Sequence, residues 1–445
     1  MNYMSVAETA DKWNVTRKRV QILCSEGRIP GSTKVGKAWI IPENAQKPID
    51  LRIKSGKYIK KNGTGNVPSL KIFSFFSGCG ILDLGFENAG FKIEFVNEFF
   101  KPFYDAYAYS RKKMGIPIPT YGYANTDVNV YLNENKTEME KYMLDARKDG
   151  SLVGFIGGPP CPDFSIAGKQ KGRDGDNGKL SLLYINLILA MNPEFFLFEN
   201  VKGLWKTARH REFYEELKQM LKGAGYCLTE RLTNSLEFGV PQDRDRILLI
   251  GIKKEIVCDE YTTASQDLVD FPWNARIKYP LENIKAMPWP DMDQFEVDSV
   301  RSCPDGIQKE LTVEYWFEKN DVENHPDAQR YFKPKAGLKK MLEISEGDTN
   351  KKSYKRIHRW RYSPTVAYGN NEVHLHPYKA RRLAVSEAMA LQSLPKEFVL
   401  PPEMTLTDCF KTIGNGVPYM MAQGVALTLK DYLNLAVKDN EEGVQ

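Results

Sequence analysis

Histidine and paired cysteine are what this 445-residue chain most lacks. Five histidines are dispersed along it, and the seven cysteines stand alone at 24, 79, 161, 227, 258, 303 and 409. No two of them form a Cys-x-x-Cys pair, so neither a zinc site nor a disulfide framework is indicated, and no metal is expected. Long apolar runs are missing too: none reaches the roughly 18 residues that span a bilayer. The opening Met1-Asn2-Tyr3-Met4 lacks the basic-then-apolar pattern of a secretion signal. A cytoplasmic protein with no membrane partner is therefore expected. Nor does charge of one sign dominate, because a net charge of +5 permits an anionic partner without requiring one.

What is present is enough for two or three soluble domains, with 42% hydrophobic and 27% charged residues. Residues 1–50 read as a unit of their own. Ser5 and Glu8 have capping-box spacing, opening a short helix to about Trp13. Thr16 can cap a second helix over 17–24, in which Val20, Leu23 and Cys24 share one face while Arg17, Lys18 and Gln21 point away. The stretch 34–41 suggests a two-stranded wing turning near Gly36. Two short helices and a wing resemble the winged helix-turn-helix of excisionase and MerR-like regulators, which implies DNA contact by Arg17, Lys18 and Gln21. Residues 51–69, with Lys57, Lys60 and Lys61 and no apolar period, read as a basic linker.

From Leu70 short apolar strands alternate with amphipathic helices: 71–76, 93–97, 152–156, 195–198 and 246–250. That rhythm predicts an α/β fold with a parallel, doubly wound sheet over 70–252. Residues 253–375 lose it, being rich in Trp, Tyr, Pro, Lys and Asn, and read as a separate, irregular lobe. Helical periodicity returns at 384–394 and 420–435, so 376–445 is expected to rejoin the sheet domain.

Three features carry chemistry. Phe76-Ser77-Gly78-Cys79-Gly80 lies between a strand and a helix, where a glycine turn lets the backbone approach a nucleotide closely. Glu98 ends the next strand, placed to accept from ribose hydroxyls, and Asp127 follows a third, placed to accept from an adenine amino group. No third glycine completes a dinucleotide fingerprint and no Gly-Lys-Ser/Thr follows, which argues against NAD and ATP. Finally, Gly157-Gly158-Pro159-Pro160-Cys161 forms a stiff loop after a buried strand, presenting Cys161 at the carboxyl edge of the sheet, where α/β folds bind ligands. A structural cysteine would rather lie inside the strand.

Pro160-Cys161 in such a loop, then Glu199-Asn200-Val201, then Gln242-Asp243-Arg244-Asp245-Arg246, resembles the DNA cytosine-5 methyltransferase family, in its order and spacing, from Leu70 to about 435. The resemblance implies a Rossmann-like S-adenosylmethionine-dependent catalytic domain with a target-recognition lobe at 253–375. It implies Cys161 as nucleophile, Glu199 as catalytic acid, and Arg246 with Arg244 as holders of the target base and active-site loop. Cofactor contacts are implied for Phe76, Gly78, Gly80, Glu98, Phe99, Asp127, Val128, Pro159, Leu180, Asn415 and Val417, the last two within Ile413-Gly414-Asn415-Gly416-Val417-Pro418. Contacts to DNA are implied for Ser165 and Gln242, and in the lobe Arg359 and Arg361 are expected to touch DNA because 356–362 mixes cations with aromatics as a nucleic-acid surface would. His376-Pro377 with Arg381, Glu387 and Gln392 matches the family's preceding structural motif. Ser74, Ile81 and Pro162 depart from its commoner aspartate, glycine and glutamine, without removing a group that performs covalent chemistry.

The expected activity is transfer of a methyl group from S-adenosylmethionine to C5 of a flipped-out cytosine in double-stranded DNA, by a prokaryotic monomer paired functionally with a restriction endonuclease. The alternatives are the same chemistry on tRNA, or a transcription regulator with an inactive methyltransferase body.

Overall fold

The computed structural model describes residues 3–13, 17–25, 29, 31–36, 38–43, 45, 68–160, 176–334, 337–350, 354–366, 368 and 373–438. The amino-terminal segment builds a small unit from strand β1 (Tyr3–Ser5), helices α1 (Val6–Trp13) and α2 (Arg17–Ser25), and strands β2 (Thr33–Val35) and β3 (Ala38–Pro42). The capping box exists as expected: the Ser5 amide donates to Glu8 at 2.7 Å and the Glu8 amide to the Ser5 hydroxyl at 3.2 Å. The stretch expected as a wing forms a hairpin of β2 on β3 with Gly36 at φ +60°, and β1 pairs with the other edge of β3. Ala10, Trp13, Val20, Leu23, Cys24, Ile29 and Ile41 bury together, while Arg17, Lys18 and Gln21 are exposed on α2.

The main sheet has seven strands: β4 (Leu70–Phe75), β5 (Lys92–Asn97), β6 (Tyr123–Ala124), β7 (Leu152–Gly157), β8 (Phe195–Val201), β9 (Tyr226–Asn234) and, beyond the two-residue β10 (Gln242–Asp243), β11 (Asp245–Lys253). Their order is β6-β5-β4-β7-β8-β11-β9. The first five are parallel, whereas β11 runs antiparallel to both neighbours, so the sheet is mixed and not the parallel one expected. A β9–β11 connection of few residues permits only an antiparallel return.

Both faces are covered, which is why β4 and β7 are buried at every position and read as unbroken apolar runs. Side chains divide by the two-residue period of a strand. Leu70 and Ile72, with Phe195 and Leu197, face α3 (Ile81–Asn88) and the long α14 (Tyr419–Ala436). Phe73 and Phe75, with Phe196 and Phe198, face α5 (Lys136–Arg147), α6 (Asp176–Met191) and α8 (Ala208–Gly223). Helices α4 (Lys101–Lys113) and α7 (Lys202–Lys206) follow β5 and β8.

The expected lobe is short of regular structure: α9 (Leu281–Ala286), α10 (Val313–Lys319), α11 (Leu338–Leu342) and β12 (Ser363–Pro364), which pairs with β10. Its first part is not lobe at all, because Val257, Tyr261, Leu268 and Phe271 pack with Tyr432 in the sheet's own core. The remainder is held by buried arginines. Arg356, fully buried, donates to the carbonyls of Met341 (2.6 Å), Ile344 (2.8 Å) and His376. Helices α12 (Val385–Leu391) and α13 (Leu406–Asn415) then pack with Trp316 and Phe317 onto Ile81 and Leu84, behind the glycine turn.

Candidate active site

Strand β4 ends in a turn with three left-handed residues, Phe76, Gly78 and Gly80, at φ +54°, +58° and +83°. At Gly80 a side chain is excluded twice, by φ and by the Tyr107 ring, which would lie 2.5 Å from a Cβ. One strand over, the Glu98 carboxylate accepts from the amides of Gly78 and Phe100, each at 2.8 Å. Burial pushes the Glu98 pKa up, and those amides with the Lys411 charge draw it back. The Phe99 ring beside it is 68% exposed and so open to contact. Asn125 ties this corner by donating to the carbonyls of Glu98 and Phe99, both at 2.8 Å. Asp127, exposed, accepts from the Asn129 amide at 2.8 Å and so starts the 3-10 turn Val128–Leu132. A carboxylate anchored by two amides, an exposed aromatic face and a second exposed carboxylate fit a nucleoside with its ribose and base.

Around this corner Leu180 is half-buried on α6 and Asn415 is exposed at the end of α13. Pro159 is buried, and Val128 and Val417, at 3% and 5% exposure, give their side chains to the core. For those two, the structure leaves only the main chain for a ligand.

Cys161 and Ser165 lie outside the described residues, as does Pro162, but the loop that leads to them is described through Pro160. Gly158 sits directly against Glu199: a Cβ there would be 2.6 Å from Oε2. Glu199 is on β8, opposite Leu248 of β11, and its Oε1 lies 2.7 Å from Arg246 Nε. Both side chains are nearly buried, 9% and 12% exposed, and burial raises the Glu199 pKa against the pull of Arg246 and then Arg244. A buried carboxyl with a raised pKa, paired to a cation and set against the loop that leads to Cys161, is a candidate acid–base group.

The C-5 cytosine-specific DNA methylase family matches residues 70–431. The chain belongs to that family. The type II methyltransferase M.NmeDI of Neisseria meningitidis serogroup C is 55% identical over 363 residues, 81% of this chain and 84% of that one. M.FnuDI of Fusobacterium nucleatum, also a type II methyltransferase, is 28% identical over 84% of this chain and 98% of its own. Among solved structures, an E. coli prophage-encoded protein described as a DNA modification methyltransferase superposes with TM-score 0.55 at 23% identity, covering 82% of this chain and all of that one. The S. pombe Dnmt2 methyltransferase gives 0.52 at 14%, covering 82% and 98%. The likeness to these two is one of fold, a Rossmann-like architecture with a mixed central sheet. The chain is thus a DNA cytosine-5 methyltransferase with S-adenosylmethionine as methyl donor, and neither the tRNA enzyme nor the inactive regulator is favoured.

Within this methyltransferase, two of the residues expected to contact DNA are committed elsewhere. Gln242 is fully buried, its amide donating to Leu391 O and Gln392 Oε1, both at 3.2 Å, and accepting from the Val366 amide. Arg359 is 3% exposed and bidentate on Glu346, at 2.8 Å twice, with Ser299 accepting one further bond each from Nη1 and Nη2. Arg361 is half-buried and donates to Pro290 O at 3.3 Å. Arg244, 1% exposed, donates to the carbonyls of Val366 (3.2 Å), Gly414 (2.9 Å) and Asn415 (3.4 Å), which makes it a clamp between β10–β12 and the closing motif of the chain, residues 413–418. Among the described residues no helix is long and apolar enough to cross a membrane.

Sequence reasoning missed a buried charged cluster beneath the glycine turn: Asp83, Glu87, Tyr107 and Arg111. A signal existed. On α4 the buried positions Phe103, Ala106, Tyr107, Ser110 and Arg111 follow the apolar helical period, so Arg111 falls on the inward face.

Proposed function

We propose that this enzyme methylates one short duplex sequence as the modification partner of a restriction endonuclease, acting as a monomer through a covalent Cys161–C6 adduct. The observation that carries the mechanism is the Glu199–Arg246 pair at 2.7 Å with Gly158, three residues before Cys161, packed on the acid. Type II methyltransferases among its relatives support the pairing with a nuclease. Cytosine C5 is a poor nucleophile, so the Cys161 thiolate first adds at C6 and moves an electron pair toward C5 and N3. Glu199, whose pKa burial raises, stands at N3 and Arg246 faces O2, so both meet the charge as it develops. The turn at Phe76, Gly78 and Gly80, with Glu98, Phe99, Asp127, Leu180 and Asn415, would hold S-adenosylmethionine, which would supply the methyl group to C5. The C5 proton then passes to solvent water, the C5–H electron pair re-forms the C5–C6 double bond, and the C6–S bond breaks to return Cys161 as a thiolate. The base has to leave the helix to reach this site, so base flipping belongs to the proposal.

The lobe between about 275 and 375 is the proposed reader of sequence, with Arg361 the surviving candidate of the two arginines. The amino-terminal unit is proposed as a winged helix-turn-helix touching DNA through the exposed Arg17, Lys18 and Gln21. The deciding experiment is methyl transfer from labelled S-adenosylmethionine to unmethylated duplex DNA by wild type and Cys161→Ser, with modified positions recovered by base-resolution sequencing. One short methylated motif that vanishes with Cys161→Ser supports the reading. Methylation that persists in Cys161→Ser, or that follows no sequence, refutes it.

A further inference from the structure

The glycine turn has two sides, and only one faces the cofactor. On the other side the Ser74 hydroxyl donates to Asp83 Oδ1 at 2.9 Å and lies 2.8 Å from the Ser77 hydroxyl, inside the turn. Asp83 Oδ2 accepts from the Tyr107 hydroxyl at 2.9 Å. Arg111 stacks over the Tyr107 ring at 4.5 Å, pairs with Glu87 at 3.0 Å and donates to the Gly80 carbonyl at 2.7 Å. Asp83, Tyr107 and Arg111 are 0%, 2% and 1% exposed, so none of them is open to a ligand. Burying charges in this way is costlier than apolar packing of the same volume. What the cluster obtains is a grip on a backbone segment containing three left-handed residues.

That grip is transmitted. Gly80 lies flush on Tyr107 and Arg111, leaving no room for a Cβ, and two residues earlier the same turn gives its Gly78 amide to Glu98 at 2.8 Å. A displacement of the Gly80 carbonyl therefore moves the donor that orients Glu98. We propose that Ser74, Asp83, Tyr107 and Arg111 form the positioning network of the S-adenosylmethionine site, setting cofactor affinity through the turn while leaving the chemical step to other residues. Because Ser74 and Asp83 touch, the network needs one carboxylate at this point and not two.

The test measures equilibrium binding of S-adenosylmethionine and of S-adenosylhomocysteine to the full chain by calorimetry, with the melting temperature of the free protein and kcat at saturating cofactor as companions. Arg111→Met removes a charge-assisted bond to the turn, and Kd rises about tenfold. Tyr107→Phe, which removes one oxygen and keeps the ring, raises Kd by about threefold with little change in melting temperature. Ser74→Asp places a second carboxylate beside Asp83 and weakens binding, and Ser74→Asp with Asp83→Ser restores it. In each soluble variant KM follows Kd while kcat stays within about twofold of wild type. Where Arg111→Met fails to fold, Tyr107→Phe and the Ser74/Asp83 exchange decide alone. The proposal is overturned if melting temperatures fall while Kd is unchanged, if kcat falls without Kd, or if the exchange is no better than Ser74→Asp.

Discussion

Replacing Gly158 with alanine would put a methyl group where the structure has the Glu199 carboxylate. No left-handed φ is required at Gly158, so the alanine backbone is unstrained and the conflict is purely between side chains. The new Cβ would lie 2.6 Å from Oε2, whereas ordinary contact begins near 3.4 Å, so one of the two groups has to yield. The displacement needed is about 0.8 Å. Glu199 Cβ and Cδ, at 3.8 and 3.7 Å, are already at contact distance, so the carboxylate relieves the clash by turning about its own torsions, which disturbs its 2.7 Å pairing with Arg246. If the loop yields instead, the start of the cysteine loop moves off the acid by the same amount. A misplacement near 1 Å costs about 100-fold in rate, or about 2.7 kcal/mol in the barrier. The stability cost should sit at the low end of over-packing, about 1 kcal/mol, because Gly158 is only partly buried. The assay is single-turnover methyl transfer with enzyme and S-adenosylmethionine saturating, alongside calorimetric cofactor binding, which should not change. A Gly158→Ala rate within about threefold of wild type, in a protein that melts normally, would refute the argument that this contact sets the acid.

Arg359→Ala leaves Glu346, at 1% exposure, without its bidentate partner, and is expected to cost about 3–5 kcal/mol in urea unfolding; a variant that keeps its stability but methylates a different sequence would contradict this. Glu387 provides the pH test. Burial alone would raise its pKa, but His376 and the bidentate Arg381 hold it well below the ordinary 4.5. A depressed folded pKa means stability that is present above 4.5 and is lost as pH falls below it. The stability difference between wild type and Glu387→Gln should therefore be constant from neutral pH down to about 5 and shrink below that, and a difference that grows on acidification would reverse the sign. For the amino-terminal unit, Arg17→Ala with Lys18→Ala should flatten the salt dependence of DNA affinity by about two charges, and an unchanged slope would remove those residues from the interface.

How far the chain could be read before folding depended on the range of the contacts involved. The capping box at Ser5 and Glu8, the hairpin at Gly36 and the buried strands are set by neighbours a few residues away, and each formed where periodicity and turn chemistry placed it. Helix α13 was not anticipated, because its apolar face over Leu406–Asn415 is short and ends in the closing motif. The boundary at 253 misled for another reason: composition changes there, yet the chain stays in the sheet's core until about Phe271. Gln242 and Arg359 looked like surface contacts because their partners, Gln392 and Glu346, are distant in sequence or carry no local signature.

The order of chemical groups is written locally. A glycine turn after a strand, carboxylates at successive strand ends, a cysteine between prolines and the paired arginines of Gln242-Asp243-Arg244-Asp245-Arg246 needed only residue type and spacing, because those requirements act over a few residues. Which groups meet was settled by long-range packing. Antiparallel β11 brings Arg246 beside Glu199 across 47 residues of chain, and the pairing of Tyr107 and Arg111 on α4 with Asp83 and Glu87 on α3 puts Arg111 under Gly80. Periodicity identifies the buried face of an element, but the neighbour that covers it depends on topology. It is the neighbour that makes one buried arginine a structural clamp and another the partner of the acid.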